Sequence, residues 1–313
     1  NIGSDNIKGI WAKKEGRIGM GQRDIRQNDV KGIRRSFSIA GDYELNAKNR
    51  IGLNAIYNWR DDRENRYRTR YNNMVWNENI QSYTGRVRRQ TRAGLDNNLT
   101  RNTRLETQKV LNFSARGEHL LTSSLDFDWA TNYSKALEER PNERYIQYQS
   151  PNNIRLDQDI SDPYKPYVID DYQDYSQFTL HRLTENHNYT EEDEFGFKAN
   201  VRFPLSIITN QKGRLRIGTR LRTKPKMRDN IFYRYTAIPP VGNMSTLPLV
   251  NWSGENFGPG SQYTPGSFVD REFLGGLDLT NPDLFSEVPD PSEFLAVNYH
   301  ARELIFANYV RWD

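Results

Sequence analysis

Few residues in this chain could do covalent chemistry, and their spacing argues against most kinds of it. The four histidines are His119, His181, His187 and His300. Only His181 and His187 are close in sequence, and that spacing fits neither one helix face nor a standard metal pair. Surface loops are their default place, so no metal site is expected. Cysteine is absent, which removes disulfides, zinc–thiolate sites, iron–sulfur clusters and thiol nucleophiles together. There is no Gly-x-Ser-x-Gly elbow and no phosphate-cradling loop. The run Glu191-Glu192-Asp193-Glu194, with Asp170-Asp171 upstream, carries the oxygen ligands that calcium takes. It lacks the EF-hand pattern, and a solvated loop is its default reading. The chain is read as having no enzymatic activity and no cofactor.

Two other groups point to binding. Arg214, Arg216, Arg220 and Arg222 line one side of a segment, and Lys198 and Arg202 line the wet side of the segment before it. They form either a basic wall that steers anionic ligands or a set of ion pairs with carboxylates packed against them, the second being preferred. Aromatic residues also stand in the polar stretches: Trp11, Trp76, Tyr164, Tyr167, Trp252, Phe257 and Tyr263. Such side chains serve ligand contact or pack loops against one another, and both readings stand.

The elements that would position these residues are strands. From Glu194 to Phe203, Phe195, Phe197, Ala199, Val201 and Phe203 alternate with Glu194, Gly196, Lys198, Asn200 and Arg202. Strand side chains change face at every residue, so one face is apolar and aromatic while the other is too charged for a packed core. The pattern recurs. Phe37, Ile39, Leu53 and Tyr57 oppose Ser38 and Asn54 around a turn at 46–49, with Ile56 breaking the wet face once. Leu111 and Phe113 oppose Asn112, although Lys109 falls on the apolar side. Phe127 and Trp129 oppose Asp128, and Ile217 opposes Arg216. A lumen-facing set follows: Ser38, Asn54, Asn112, Asp128, Lys198, Asn200, Arg202, Arg214, Arg216, Arg220 and Arg222. Residues 1–31, 71–102, 141–190 and 224–300 read as long polar loops at one rim. Short turns near 45–49, 118–123 and 206–213 read as the other. About seven strands result.

A mean hydropathy of −0.89 and the absence of any run of about 20 apolar residues exclude a helical membrane protein. They do not exclude a barrel, in which only alternate residues meet lipid. The 18 Tyr, 14 Phe and 6 Trp suit aromatic girdles and argue against disorder. With 44 basic and 40 acidic residues, nothing argues for nucleic acid. The fold class expected is all-β: part of an antiparallel transmembrane barrel, with short periplasmic turns and long extracellular loops. Residues 1–313 are one barrel portion, and 224–300 is a long extracellular insertion.

Four runs carry a family resemblance. Asn58–Arg68, Glu138–Tyr145 and Asn298–Ala307 resemble barrel segments of TonB-dependent outer-membrane receptors, and Gly3–Ile7 resembles one of their loops. The subgroup is the one common in Bacteroidota. The resemblance implies a barrel of about 22 strands around an internal plug, driven by the inner-membrane TonB complex to take up a scarce nutrient. It implies outer-membrane lipid, the plug, TonB and a surface lipoprotein as partners, and makes the plug the source of carboxylates for the arginines. The chain holds neither plug nor enough strands to close, and it starts without methionine or leader, so it reads as a piece of a longer protein. The rival reading is a non-transport barrel serving secretion, adhesion or surface binding.

Overall fold

The computed structural model describes residues 2–14, 16–169, 172–237, 241–252 and 262–313. Strand makes up 69% and helix 5%. No helix in the described residues is long and apolar enough to cross a membrane. The strands are β1 (Ile2–Lys14), β2 (Arg17–Asn46), β3 (Asn49–Asn77), β4 (Ser82–Gly94), β5 (Arg104–Leu120) and β6 (Asp126–Gln149). Three short ones follow, β7 (Ile154–Arg155), β8 (Gln158–Asp159) and β9 (Tyr167–Val168), then β10 (Thr179–Pro204) and β11 (Arg214–Ala237). The last are β12 (Leu249–Asn251), β13 (Ser267–Val269), β14 (Phe285–Pro289) and β15 (Tyr299–Trp312), with helix α1 (Arg271–Gly276) before β14.

The long strands form one antiparallel meander, as the alternation requires. Among the described residues β1 pairs only with β2 and β15 only with β11, so the sheet is open. The connections 47–48, 121–125 and 205–213 lie at one end, here the lower rim. The strand ends that flank 15–16, 78–81, 150–178 and 238–284 lie at the other. The long connections thus share a rim, as the sequence implied, but several stretches read as loops are strand. Ile2–Lys14 pairs with Arg17–Val30 as a hairpin, and Gly3–Ile7 is strand rather than loop. Residues 61–94 extend β3 and add β4, residues 138–149 extend β6, and 224–237 extend β11. The turn after β5 sits at 121–125 rather than 118–123. The upper strands were illegible because polar residues occupy both of their faces, where they bond to each other and to loops.

Two strands are built in two pieces. β4 pairs with β3 above and β5 pairs with the same strand below, so they form one descending strand interrupted by residues 95–103. β14 and β15 descend along β11 in the same way, interrupted by 290–298. At that second break Asn298 repairs the ladder with its side chain. Its Oδ1 accepts from the Asn230 N–H at 2.8 Å and its Nδ2 donates to the Asn230 carbonyl at 2.8 Å. Gln158 does the same to Met20, at 2.7 and 2.8 Å.

The register on β2 and β3 runs unbroken from Gln22↔Asn72 to Glu44↔Arg50. Ile25 and Tyr71 above therefore share a face with Phe37 and Tyr57 below. This face changes character along its length. Below, it is an uncovered apolar belt: Phe37, Ile39, Leu304, Phe306 and Val310 are each more than 60% exposed. Above, Val87, Ile146 and Leu183 are buried beneath the 150–178 and 241–285 segments, with Phe178, Met244 and Leu274 from those segments in the same core.

Candidate functional site

The opposite, polar face gathers the residues that the alternation assigned to it. Directly opposed residues share a face, and the register aligns Asn54, Ser114, Asn132, Gly196 and Arg222 in one row across five strands. The next rows hold Arg116, Ala130, Lys198 and Arg220, then Glu118, Asp128, Asn200, Gly218 and Tyr309, then Asp126, Arg202, Arg216 and Arg311. Ser38 and Asn112 both oppose Ile56, and Arg214 opposes Pro204. A hollow of about 470 Å³ is lined from β2 to β11 by Asp42, Asn54, Arg116, Asn132, Lys198 and Arg220 among others. One hollow walled by so many strands makes the polar face the concave one.

The polar groups there bond chiefly to each other. Asn200 Nδ2 donates to Asp128 at 2.6 Å, Arg216 to Asp128 at 3.1 Å, and the Tyr309 hydroxyl to Asn200 Oδ1 at 2.7 Å. Arg202 pairs with Asp126 and Arg222 with Glu303 at 3.0 Å. Gly218 makes the centre possible: a Cβ there would meet Asn200 Oδ1 and the Tyr309 ring at 2.3 Å. Arg202 and Arg222 thus find acids on the adjacent strand, and Arg216 reaches across β10 to Asp128 on β6, without a separate domain. Lys198 and Arg220 stand directly opposite each other.

The loop aromatics divide. Trp252 packs on Tyr67 with ring centroids 5.1 Å apart, and Tyr263 joins the upper core, with Arg23 4.8 Å above its ring and its hydroxyl bonded to the Pro166 carbonyl. Tyr164 is 93% exposed. Trp11 is on β1, Tyr167 on β9 and Trp76 on β3, so none of these three is in an irregular loop. Phe257 lies outside the described residues.

What fastens the loops has no signature in the linear pattern. Arg144, buried on the apolar side, donates to the carbonyls of Leu274 (3.2 Å), Gly275 (2.8 Å) and Leu277 (2.8 Å) and pairs with Glu185 at 2.5 Å. Arg89 and Thr69 both bond the Pro265 carbonyl, and Thr91 donates to the Val269 carbonyl at 2.6 Å. Their polar types hide an alternation that is intact, since these residues serve loop carbonyls on a face that is otherwise core.

The acidic run is not a loop. Glu191, Glu192, Asp193 and Glu194 lie in β10 on alternate faces, Glu191 bonding Lys135 at 2.8 Å and Glu192 bonding Lys224 and Lys226 at 2.8 and 3.1 Å. His181 and His187 are on the same strand, and His187 faces Glu139 at 3.5 Å. Among the described residues no three His, Asp or Glu side chains gather as a metal site.

High on the polar face is a second feature that the alternation does not announce. Asp24, whose side chain is fully buried, receives Arg26 and Arg70 at 2.8 Å, with Arg68 at 3.8 Å. Burial alone would raise its pKa, but the hydrogen bonds from Arg70 and Arg26 hold it below the ordinary carboxylate value. Glu143, paired with Arg92 and Arg104, is held down against a larger burial penalty in the same way. No family model, curated protein or solved structure matches the chain.

Proposed function

We propose that this chain is part of the wall of a β-barrel in a bacterial outer membrane and serves TonB-dependent uptake of a nutrient. The observation that carries the membrane part is the uncovered apolar belt on seven adjacent strands, from Phe37 and Ile39 through Leu53, Phe113, Tyr133, Phe197 and Ile217 to Phe306 and Val310. A water-soluble protein rarely leaves so large an apolar surface bare. The belt occupies about 10 residues of each strand, the span a tilted strand needs to cross a bilayer. Its upper margin is a row of Arg35, Trp59 and Lys109, with Arg35 stacked 5.0 Å over Trp59. Long basic side chains at that height reach the headgroups, which accounts for Lys109 on the apolar side.

Near this margin the aromatic side chains carry bonded polar tips. Trp59 Nε1 donates to Asp61 at 2.9 Å, and the Tyr133 hydroxyl to Asp193 at 2.7 Å. Near the lower rim Trp129 Nε1 donates to His119 Nε2 at 3.1 Å, which leaves His119 Nδ1 to donate to Asn49. Aromatic girdles with one wet end belong at the two interfaces of a membrane.

The uptake part rests on the resemblance of Asn58–Arg68, Glu138–Tyr145 and Asn298–Ala307 to receptor segments, which fall on β3, on β6 and, from Tyr299 on, on β15. In this reading the concave polar face lines the lumen and meets the plug, and the upper segments catch the ligand. TonB supplies the energy, and a surface lipoprotein partners the loops. Removing part of the 241–284 segment while keeping β14 and the Asn298 rung tests it. Normal membrane insertion with lost uptake is expected. Insertion with unchanged uptake, at equal surface abundance, would sink the recognition role, and absence from the outer membrane would sink the reading as a whole.

A further inference from the structure

Above the belt, the polar face carries more arginine than its own acids neutralise. The register sets Arg66 opposite Arg92, Arg70 opposite Arg88 and Arg26 opposite Arg68. Like charges directly across a ladder destabilise a sheet, so an arrangement repeated three times needs a compensating charge. Asp24 serves Arg26 and Arg70, and Glu143 serves Arg92 and Arg104. Among the described residues Arg66 hydrogen-bonds only the Gln90 amide, at 3.3 Å. The Arg88 side chain has no hydrogen bond or ion pair among the described residues.

These side chains converge on Tyr145. Arg68 donates to its hydroxyl at 3.1 Å, Arg182 lies 5.9 Å from its ring centroid, and Arg66 and Arg88 are within electrostatic reach of it. Beside them is a cavity of about 360 Å³ walled by Arg66, Arg92, Arg140, Arg182 and Tyr145, with two carboxylates, Glu143 and Glu293, that pair with Arg92 and Arg182. The buried Nε–H groups of Arg66, Arg68, Arg88 and Arg182 find no acceptor among the described residues. Buried donors without acceptors are costly, and guanidinium forks match phosphate and carboxylate oxygens. The local field is positive: burial together with Arg92 and Arg68 brings Arg66 down to about 10. Burial together with Arg88, Arg86 and Arg182 lowers His181.

We infer that this cavity binds a compact polyanion carrying phosphate or carboxylate groups, held by Arg66 and Arg182 around Tyr145, with Arg68 and Arg88 on the same face adding positive charge from outside its wall. The polyanion supplies the charge that the opposed arginines lack. The inference does not depend on transport, because binding to the purified protein needs neither TonB nor a membrane.

Calorimetric titration of the intact purified protein with pyrophosphate and with citrate tests it. Saturable binding of at least one is expected, weakened more than tenfold by Arg66→Gln and unaltered by Arg311→Gln at the lower rim. Pyrophosphate binding more tightly would assign a phosphate ligand, and citrate binding more tightly a carboxylate one. Arg88→Gln removes no hydrogen bond or ion pair among the described residues, so it keeps the test sound should Arg66→Gln misfold, and at least threefold weakening is expected. Higher salt should weaken binding in the wild type more than in either variant. No saturable binding of either anion, or equal binding by wild type and both glutamine variants, would overturn the proposal.

Discussion

At the scale of residues, the side chains that matter most are those whose removal strands other groups. Arg144 is the clearest. It donates to three carbonyls around α1 and pairs with the half-buried Glu185 carboxylate, so Arg144→Leu takes one donor from each of four acceptors, of which Gly275, Leu277 and Glu185 keep another in Asp96, Leu279 and Asn142. Breaking such a buried arrangement costs about 3–5 kcal/mol. The expected result is a lower midpoint of denaturation and new proteolytic cuts within 241–285, and an unchanged cleavage pattern would contradict the role. Gly218 is a second case, for steric reasons. Gly218→Ala would force the Tyr309 ring off Asn200 at a cost of about 1–3 kcal/mol, read as lost stability. A Tyr309→Phe background should recover little of it, because the clash is with the ring and not with the hydroxyl.

Acid stability belongs at this scale too. Asp24 and Glu143 have folded pKa values below their ordinary ones. Their contribution is therefore fully present above the unfolded values, near pH 4, and is lost as pH falls through the lowered folded values. Denaturation between pH 4 and pH 2 should steepen for the wild type. It should flatten in Asp24→Asn, whose stability at pH 7 is already reduced.

At the scale of elements, the interrupted strands are the distinctive device. Dividing one descending strand into β4 and β5, and another into β14 and β15, releases short segments from the sheet plane without ending the meander. Residues 95–103 turn toward α1, where the Asp96 N–H meets the Gly275 carbonyl at 3.0 Å. Residues 290–298 turn toward the polar face, where Glu293 meets Arg182 at 3.3 Å. The Asn298 rung keeps the second break in register. Asn298→Ala removes two hydrogen bonds to a buried backbone position, for about 1–2 kcal/mol. Amide exchange at Asn230 should quicken in that variant, while exchange in the lower half of β11 stays slow. Equal acceleration along all of β11 would mean that the rung stabilises the whole strand and does not act at the break.

At the scale of the whole molecule, the proposal turns on which face meets lipid. Ile39 and Ser38 are neighbours on opposite faces of β2. If the belt is in a bilayer, Ile39→Arg costs about 2–4 kcal/mol near the midplane, whereas Ser38→Arg points into the hollow and is tolerated. Assembly into the outer membrane should fall for Ile39→Arg alone. Equal assembly of both variants would remove the membrane reading.

The sequence by itself determined the lower half of this protein. There the two faces differ so strongly in polarity that a period of two leaves only one register. The linear alternation alone therefore assigns Phe37, Trp129 and Val201 to one face and Ser38, Asp128 and Asn200 to the other. It also separated the long connections from the short ones. The upper half was decided by tertiary structure. There, loop segments cover the same face that lies bare below, and Arg89, Thr91 and Arg144 are interior residues because loop carbonyls meet them. Such residues read as solvent-facing in a linear chain, so the strands that hold them looked like loops. The arginine cavity was hidden for a related reason: Arg66, Arg68, Arg88, Tyr145 and Arg182 come from four strands, and only the pairing register brings their charges together.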